Sequence, residues 1–258
     1  MQNSLLKAIK LEYQRDNLAK KGNYKKLVSL YARGIEIPNL NSGKLWDPIN
    51  KNGILRKKNP MAYNRILAVT SKIHGSRLKI LDIGPGQGML EEIVDTRGIC
   101  DDLWGVDIAR KSTKKLRIKY KWNNWKFIEG NITETDIPTG YFDYVTALEV
   151  LEHIEPSKLF LVLEKIHKSL KQGGVFIVSV PLNEGLEQML KIGMNPNAHT
   201  RIYTPDVIMA EMRISGFKVH DKQFLYAFHT HYMIKSALCR IFPLVRKPNN
   251  IILISEKT

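Results

Sequence analysis

The sequence predicts an α/β fold built on a mostly parallel sheet, and three observations carry that expectation. From Leu78 onward, short β-rich runs alternate with stretches of helical spacing, the pattern left by parallel strands joined through crossover helices. The first run, "LKILDIG", passes into a turn with glycine at 84, 86 and 88, at the carboxyl end of a strand, where open α/β sheets bind ligands. The segment from Ser157 to Lys171 sets Leu159, Leu163, Ile166 and Leu170 on one helical face before Gly173 and Gly174 stop it.

Taken in order, the chain begins with amphipathic spacing from Leu5 to Arg33. Leu5, Leu6, Ile9, Leu18, Leu27 and Leu30 stand among lysines, and Gly22 breaks the run into two helices. Ile35 to Pro60 has the composition of a loop or lid, with Pro38, Pro48, Gly43 and Gly53 among polar residues. Helical spacing resumes from Pro60 to Ile73. The candidate strands are "LKILDIG", "DLWGVDI", "WKFIEG", "FDYVTALE", "GGVFIVSVP", "FKVHDKQFLYAF" and "NNIILISE". Between the fifth and sixth, residues 182–204 read as an insertion over the carboxyl edge of the sheet. Thr204 caps a following helix with Pro205 in its first turn, Gly216 ends it, and a last helix runs from His231 to Phe242.

Length and composition limit the function classes. A chain of 258 residues, 43% apolar, can bury one main core with a helical appendage. No apolar run approaches bilayer length, and residues 1–20 lack the apolar block and cleavage site of a secretory signal. Only Cys100 and Cys239 are present, without metal-ligand spacing, which fits a reducing cytoplasm. The net charge of +15 is uneven: residues 1–77 hold 16 Lys/Arg and 4 Asp/Glu, a net of +12. Such a field attracts phosphates on RNA, on an anionic membrane surface touched peripherally, or on a phosphorylated small molecule; it also serves as a solvated face that keeps the protein in solution. The division expected is a basic helical extension and lid over 1–77 and a core over 78–258.

The glycine turn lets the backbone bend tightly and a ligand approach the main chain. Glycine or alanine at position 89 would complete a dinucleotide fingerprint, but Met89 stands there, which argues against a nicotinamide cofactor. The second strand ends in Asp107, nineteen residues after Gly88, where a carboxylate accepts hydrogen bonds from vicinal ribose hydroxyls. Glycine turn and acid together point to a bound nucleoside.

With "LDIGPGQG" as a first motif and "GVDI" as a second, the chain from Leu78 to about Pro181 resembles a class I S-adenosylmethionine-dependent methyltransferase, in the small-molecule and sugar O-methyltransferase-like "type 11" group. The resemblance implies a Rossmann-like seven-stranded sheet, helices on both faces, whose last two strands form an antiparallel hairpin. It implies Asp82, Gly84, Pro85, Gly86 and Gly88 around the methionine moiety, Asp107 and Ile108 at the ribose, and Asn131 and Ile132 of "EGNI" beside the adenine. Many relatives carry aspartate where Asn131 stands; its amide oxygen can still accept from the adenine amino group.

In that family the residues after the fourth strand face the sulfonium and the acceptor. Here they read "ALEVLEHI", and if the segment turns helically, Glu149, Glu152 and His153 share one face. Three readings stand open. Two carboxylates and an imidazole, joined by His199 of "NPNAHTR", make a site for a divalent metal such as magnesium or manganese, which would activate and fix an acceptor hydroxyl. The E-x-x-E-H spacing resembles that of quinone-biosynthesis O-methyltransferases and of small-RNA 2'-O-methyltransferases, which combine it with a downstream histidine. Alternatively His153, oriented by Glu152, acts as a general base without metal. In the third reading the histidine is structural and Glu149 touches the cofactor. Trp122 and Trp125 are expected to pack in the core rather than stack on a base, and His229 and His231 are surface or helix-start residues.

Oxygen acceptors need a base or metal more than amines do, so the favoured expectation is O-methylation of a small molecule: a sugar, a glycan precursor, or a phenolic or quinone ring, with or without a phosphate for the basic extension to pair with. An RNA methyltransferase using the +12 region as a backbone-tracking surface and a catalytically silent cofactor-binding protein are the other two hypotheses.

Overall fold

Strand β1 (Leu78–Ile83) shows why the sheet is central: five of its six residues are buried, as happens when both faces are covered by helices. Around it lie β2 (Cys100–Asp107), β3 (Lys126–Glu129), β4 (Phe142–Leu148), β5 (Leu170–Pro181), β6 (Phe217–Leu225) and β7 (Asn250–Lys257), in the order β3-β2-β1-β4-β5-β7-β6. The first five pair in parallel, and β7 runs antiparallel between β5 and β6. The seven-stranded sheet with a terminal antiparallel hairpin is therefore present. The computed structural model describes residues 2–32, 41–49, 60–121, 123–182, 185–192, 194–195, 198–228, 231–242 and 246–258, without the side chains of 2–6, 49 and 240. The expectations on Leu5, Leu6, Trp122, His229, Pro38 and Gly53 fall outside those descriptions.

Because successive strand residues point to opposite faces, Ile80 and Leu81 enter different cores. On one side, Leu81, Val145 and Val178 pack with Leu159, Leu163 and Ile166 of α7 (Pro156–Ser169) and Val207 and Met212 of α9 (Pro205–Ile214). On the other, Ile80, Leu103 and Phe127 meet Ile66 and Val69 of α4 (Pro60–Thr70), Val94 of α5 (Met89–Arg97) and Leu116 of α6 (Arg110–Lys119). Trp125 is buried against Tyr120, their rings 4.8 Å apart.

The N-terminal extension shares these cores. Ala19 of α1 (Gln2–Lys20) and Leu27 and Tyr31 of α2 (Tyr24–Tyr31) belong to the first cluster, and Ile66, Val69 and Ile73 to the second, so these described residues of 1–77 pack into the same cores as the sheet. Within the expected lid, α3 (Gly43–Ile49) is a short helix. The insertion carries α8 (Leu186–Lys191), whose Leu186 and Leu190 pack on Ala8 and Ile9 of α1.

The boundary after α7 differs from the sequence reading. The helix expected to reach Lys171 ends at Ser169, and Leu170 is already extended and paired with Phe142. Gly173, at φ 71, lies inside β5 where the register with β4 shifts, so the glycines shape a strand irregularity and do not stop the helix. The last helix, α10 (Tyr232–Ile241), follows His231 at φ 51.

Candidate functional site

A cleft opens at the carboxyl edge of the sheet, between the ends of β1, β2, β3 and β4. Gly84, Gly86 and Gly88 stand at φ 73, 53 and 76, the left-handed region that costs a side chain strain. A Cβ on Gly88 would come within 2.4 Å of Leu116, and one on Gly84 within 2.8 Å of Val150. The turn therefore depends on glycine both for conformation and for space.

Asp107 accepts hydrogen bonds from the backbone N–H of Gly86 (3.0 Å) and Ala109 (2.7 Å). This fixes its carboxylate on the cleft wall. Burial raises its pKa, and the two N–H donors oppose that rise. Beneath the turn, Asp82 accepts from Thr146 and pairs with Glu91; burial pushes Asp82 up to about 7 and raises Glu91 well above the ordinary carboxylate range. Gly84, Gly86, Asp107, Ile108, Asn131, Ile132 and Glu149 line the cleft, whereas Asp82, Pro85 and Gly88 support the turn from behind.

At the β3 end, Asn131 accepts from Thr133 N–H at 3.0 Å, folding the chain into a turn. Lys165 of α7 clamps that turn by donating to the carbonyls of Ile132, Thr133 and Thr135, each at 3.0 Å. Helix α3 covers this end. Gly43 approaches the Ile108 carbonyl so closely that a Cβ would fall 2.4 Å from it, and Asp47 accepts from Lys111 N–H at 2.7 Å in the first turn of α6.

The crowded segment after β4 is split by its backbone. Glu149 has φ 60, so the chain turns sharply before a single 3₁₀ turn over Leu151–His153, and the expected common face of Glu149, Glu152 and His153 does not form. The Glu149 carboxylate goes instead to Ser179 Oγ (3.0 Å), Asn250 Nδ2 (2.7 Å) and Arg65 (3.2 Å). It stays on the cleft wall as an anchored anion, outside the group that its neighbours make.

Glu152 and His153 meet His199. All three are buried, their candidate ligand atoms lie within 4.8 Å of one another, and each histidine Nε2 is about 4 Å from Glu152 Oε1 (3.9 and 4.0 Å). His153 reaches the cleft, and Trp46 of α3 packs edge-on to its ring at 4.9 Å. Burial and the neighbouring His199 push the His153 pKa down to about 3, which keeps the imidazole neutral. Its Nδ1 lies 3.3 Å from the Ala198 carbonyl, an acceptor that selects the tautomer with the proton on Nδ1 and leaves the Nε2 lone pair toward Glu152 and His199. One carboxylate and two imidazoles form a donor set suited to a divalent cation. A base with so low a pKa would be a poor proton acceptor at neutral pH.

His199 arrives there through contacts that the sequence does not announce. Thr200 N–H and Oγ donate to the Glu152 carbonyl (2.9 and 3.0 Å), and Asn195 accepts from His199 N–H and donates to its carbonyl, both at 3.0 Å. The next residue, Arg201, is buried and donates to Tyr31 (2.8 Å), Tyr203 and Glu211, while Tyr31 also donates to Glu211. Thus α2 and α9 hold the strand of chain that presents His199. Motif spacing does not mark Arg65, Trp46, Lys165 or Arg201; the alternation of His199, Arg201 and Tyr203 in "AHTRIYT" is the local signal around Arg201.

The family model described as a methyltransferase domain matches residues 55–222. Among sequence relatives, the ubiquinone biosynthesis O-methyltransferase of Idiomarina loihiensis is 31% identical over 168 residues, 64% of this chain and 65% of that enzyme. The enzyme of the same name from Leptothrix cholodnii is 30% identical over 67% of this chain and 77% of its own length. The N-methyltransferase NodS of Bradyrhizobium japonicum in complex with S-adenosyl-L-homocysteine superposes with a TM-score of 0.62 at 13% identity, over 84% of this chain and 99% of its own. Magnesium protoporphyrin IX methyltransferase of Synechocystis gives 0.59 at 18% identity, over 83% and 93%. At these identities the structural likeness establishes the fold.

Proposed function

We infer the function from one premise: the chain belongs to the S-adenosylmethionine-dependent class I methyltransferase family. We propose that it methylates a hydroxyl oxygen on a small aromatic acceptor, a phenolic or quinone-precursor ring. The observation that carries this reading is the convergence of Glu152, His153 and His199 beside the cleft. The name shared by the sequence relatives supports the acceptor class.

The chain's own groups divide the work. Gly84 and Gly86 leave room for the cofactor's methionine end to lie against main chain, Asp107 accepts from the ribose hydroxyls, and the Asn131–Ile132 turn, held by Lys165, borders the base. Glu149, anchored by Ser179, Asn250 and Arg65, offers an anionic wall near the methionine end. Trp46 and α3 exclude water from the cofactor side of His153. The bound cofactor supplies an electrophilic methyl group on a positive sulfonium. The residues fit a divalent cation such as magnesium or manganese, with Glu152, His153 and His199 as its holders; such an ion would lower the acceptor hydroxyl's pKa.

Incubation with methyl-labelled S-adenosylmethionine and a panel of catechol-type and monophenolic acceptors, with and without chelator, tests the proposal. Label should enter a ring hydroxyl, cease with chelator and return with added magnesium or manganese. Transfer to nitrogen, or full activity in chelator, would exclude it.

A further inference from the structure

Helix α10 is built inside out. Ser236 and Cys239 are buried against the body, while Met233, Ile234, Leu238, Ile241 and Phe242 are 50–69% exposed. At helical spacing these five form one continuous stripe, and a helix of a water-soluble protein normally turns such a stripe inward. Exposed contiguous apolar surface of this kind marks a docking site.

The charge around the helix selects what docks. Residues 222–255 contain five Lys/Arg and no Asp/Glu. The Phe228 ring holds two of the cations beside the helix, with Arg246 at 4.5 Å and Lys235 at 5.8 Å from its centroid, and Lys247 is exposed nearby in sequence. A second copy of the chain, itself at +15, would bring like charge to that flank. One face of a helix about 15 Å long also falls short of the roughly 800 Å² per partner that a stable dimer buries. An apolar stripe with a basic flank suits the headgroup region of an anionic bilayer, where the side chains enter the acyl boundary and the cations meet phosphates.

The helix is also tied to the catalytic edge. Asn249 donates to the Leu225 carbonyl and accepts from Ala227 (2.8 and 2.9 Å), and the next residue, Asn250, donates to Glu149 at 2.7 Å. The excursion bearing α10 leaves and rejoins the sheet at the edge where the cleft opens. We propose that α10 lies flat on an anionic bilayer through its apolar stripe, with Lys235, Arg246 and Lys247 on lipid phosphates, and so brings the cleft's edge of the sheet to the membrane surface.

This docking does not rest on the acceptor proposed above, and S-adenosylhomocysteine affinity serves as the control for an intact fold. The test is cosedimentation of the full chain with vesicles of equal phosphatidylcholine and phosphatidylglycerol, against vesicles of phosphatidylcholine alone. The wild type should bind the anionic vesicles and not the neutral ones. Combined Met233→Ser, Ile234→Ser and Ile241→Ser should weaken binding about tenfold or more, as should Arg246→Glu with Lys247→Glu, with cofactor affinity unchanged. Wild-type binding by both variants would assign vesicle attraction to the basic N-terminal region and overturn the proposal. No binding by the wild type, or a solution dimer that the serine variant dissociates, would overturn it as well.

Discussion

At the proposed cofactor end the cleft is walled largely by main chain, set by three glycines and fixed by one carboxylate, Asp107, which the backbone of Gly86 and Ala109 holds in place. At the proposed acceptor end the wall is made of side chains, and one of them, His199, is delivered by a separate stretch of chain pinned through Thr200 and Arg201. A backbone-built site follows from local sequence, whereas a side-chain-built site depends on what packs behind it. Binding and chemistry should therefore separate under mutation.

The largest effect is expected at the acceptor end. Glu152→Ala should lower turnover by about 10³-fold, in the range lost with a positioned catalytic group, while S-adenosylhomocysteine affinity measured by calorimetry stays within twofold. A matching fall in affinity would merge the two ends into one unit. Asp107→Ala should do the converse, weakening the cofactor at least about tenfold, as loss of hydrogen bonds to a ligand does, with turnover largely kept at saturating cofactor. Unchanged affinity would remove the ribose assignment.

How far each end was legible follows from the same contrast. The fold and the glycine turn could be read because "LDIGPGQG" and "GVDI" encode conformation and a strand-end acid over a few residues. The strands were readable because burial on both faces leaves near-continuous apolar runs. The sequence also marks Glu152, His153 and His199, but a helical turn would group Glu149 with them, and its φ of 60 breaks that turn. Periodicity carries no information about a left-handed residue that is not glycine or asparagine. Nor could spacing show that Tyr31, far upstream, would reach Glu211 and Arg201, since that contact is made by packing of α2 on the core.

Beneath the cofactor end, the buried Asp82 sharpens the comparison through pH. Its folded pKa of about 7 exceeds its ordinary 3.8, so the folded state binds the extra proton, and this carboxyl's contribution to stability is full below about 4 and lost as pH rises toward 7. Asp82→Asn, which can still accept from Thr146, should raise the melting temperature relative to wild type at pH 8 and lose that advantage near pH 4. An equal difference at both pH values would contradict the assignment. The smallest effect is expected from Tyr31→Phe. It removes hydroxyl contacts to Arg201 and Glu211, at a cost of about 1–3 kcal/mol in stability by urea unfolding, and should slow turnover more than it weakens cofactor binding.

We propose that Glu152, His153 and His199 act together as a cation site beside the methyl donor. Manganese titration followed by electron paramagnetic resonance, on the wild type and on His199→Ala, tests it most directly. One manganese should bind per wild-type chain, with at least about tenfold weaker binding in the variant. Equal binding by the two proteins, or none by the wild type with S-adenosylhomocysteine present, would contradict it.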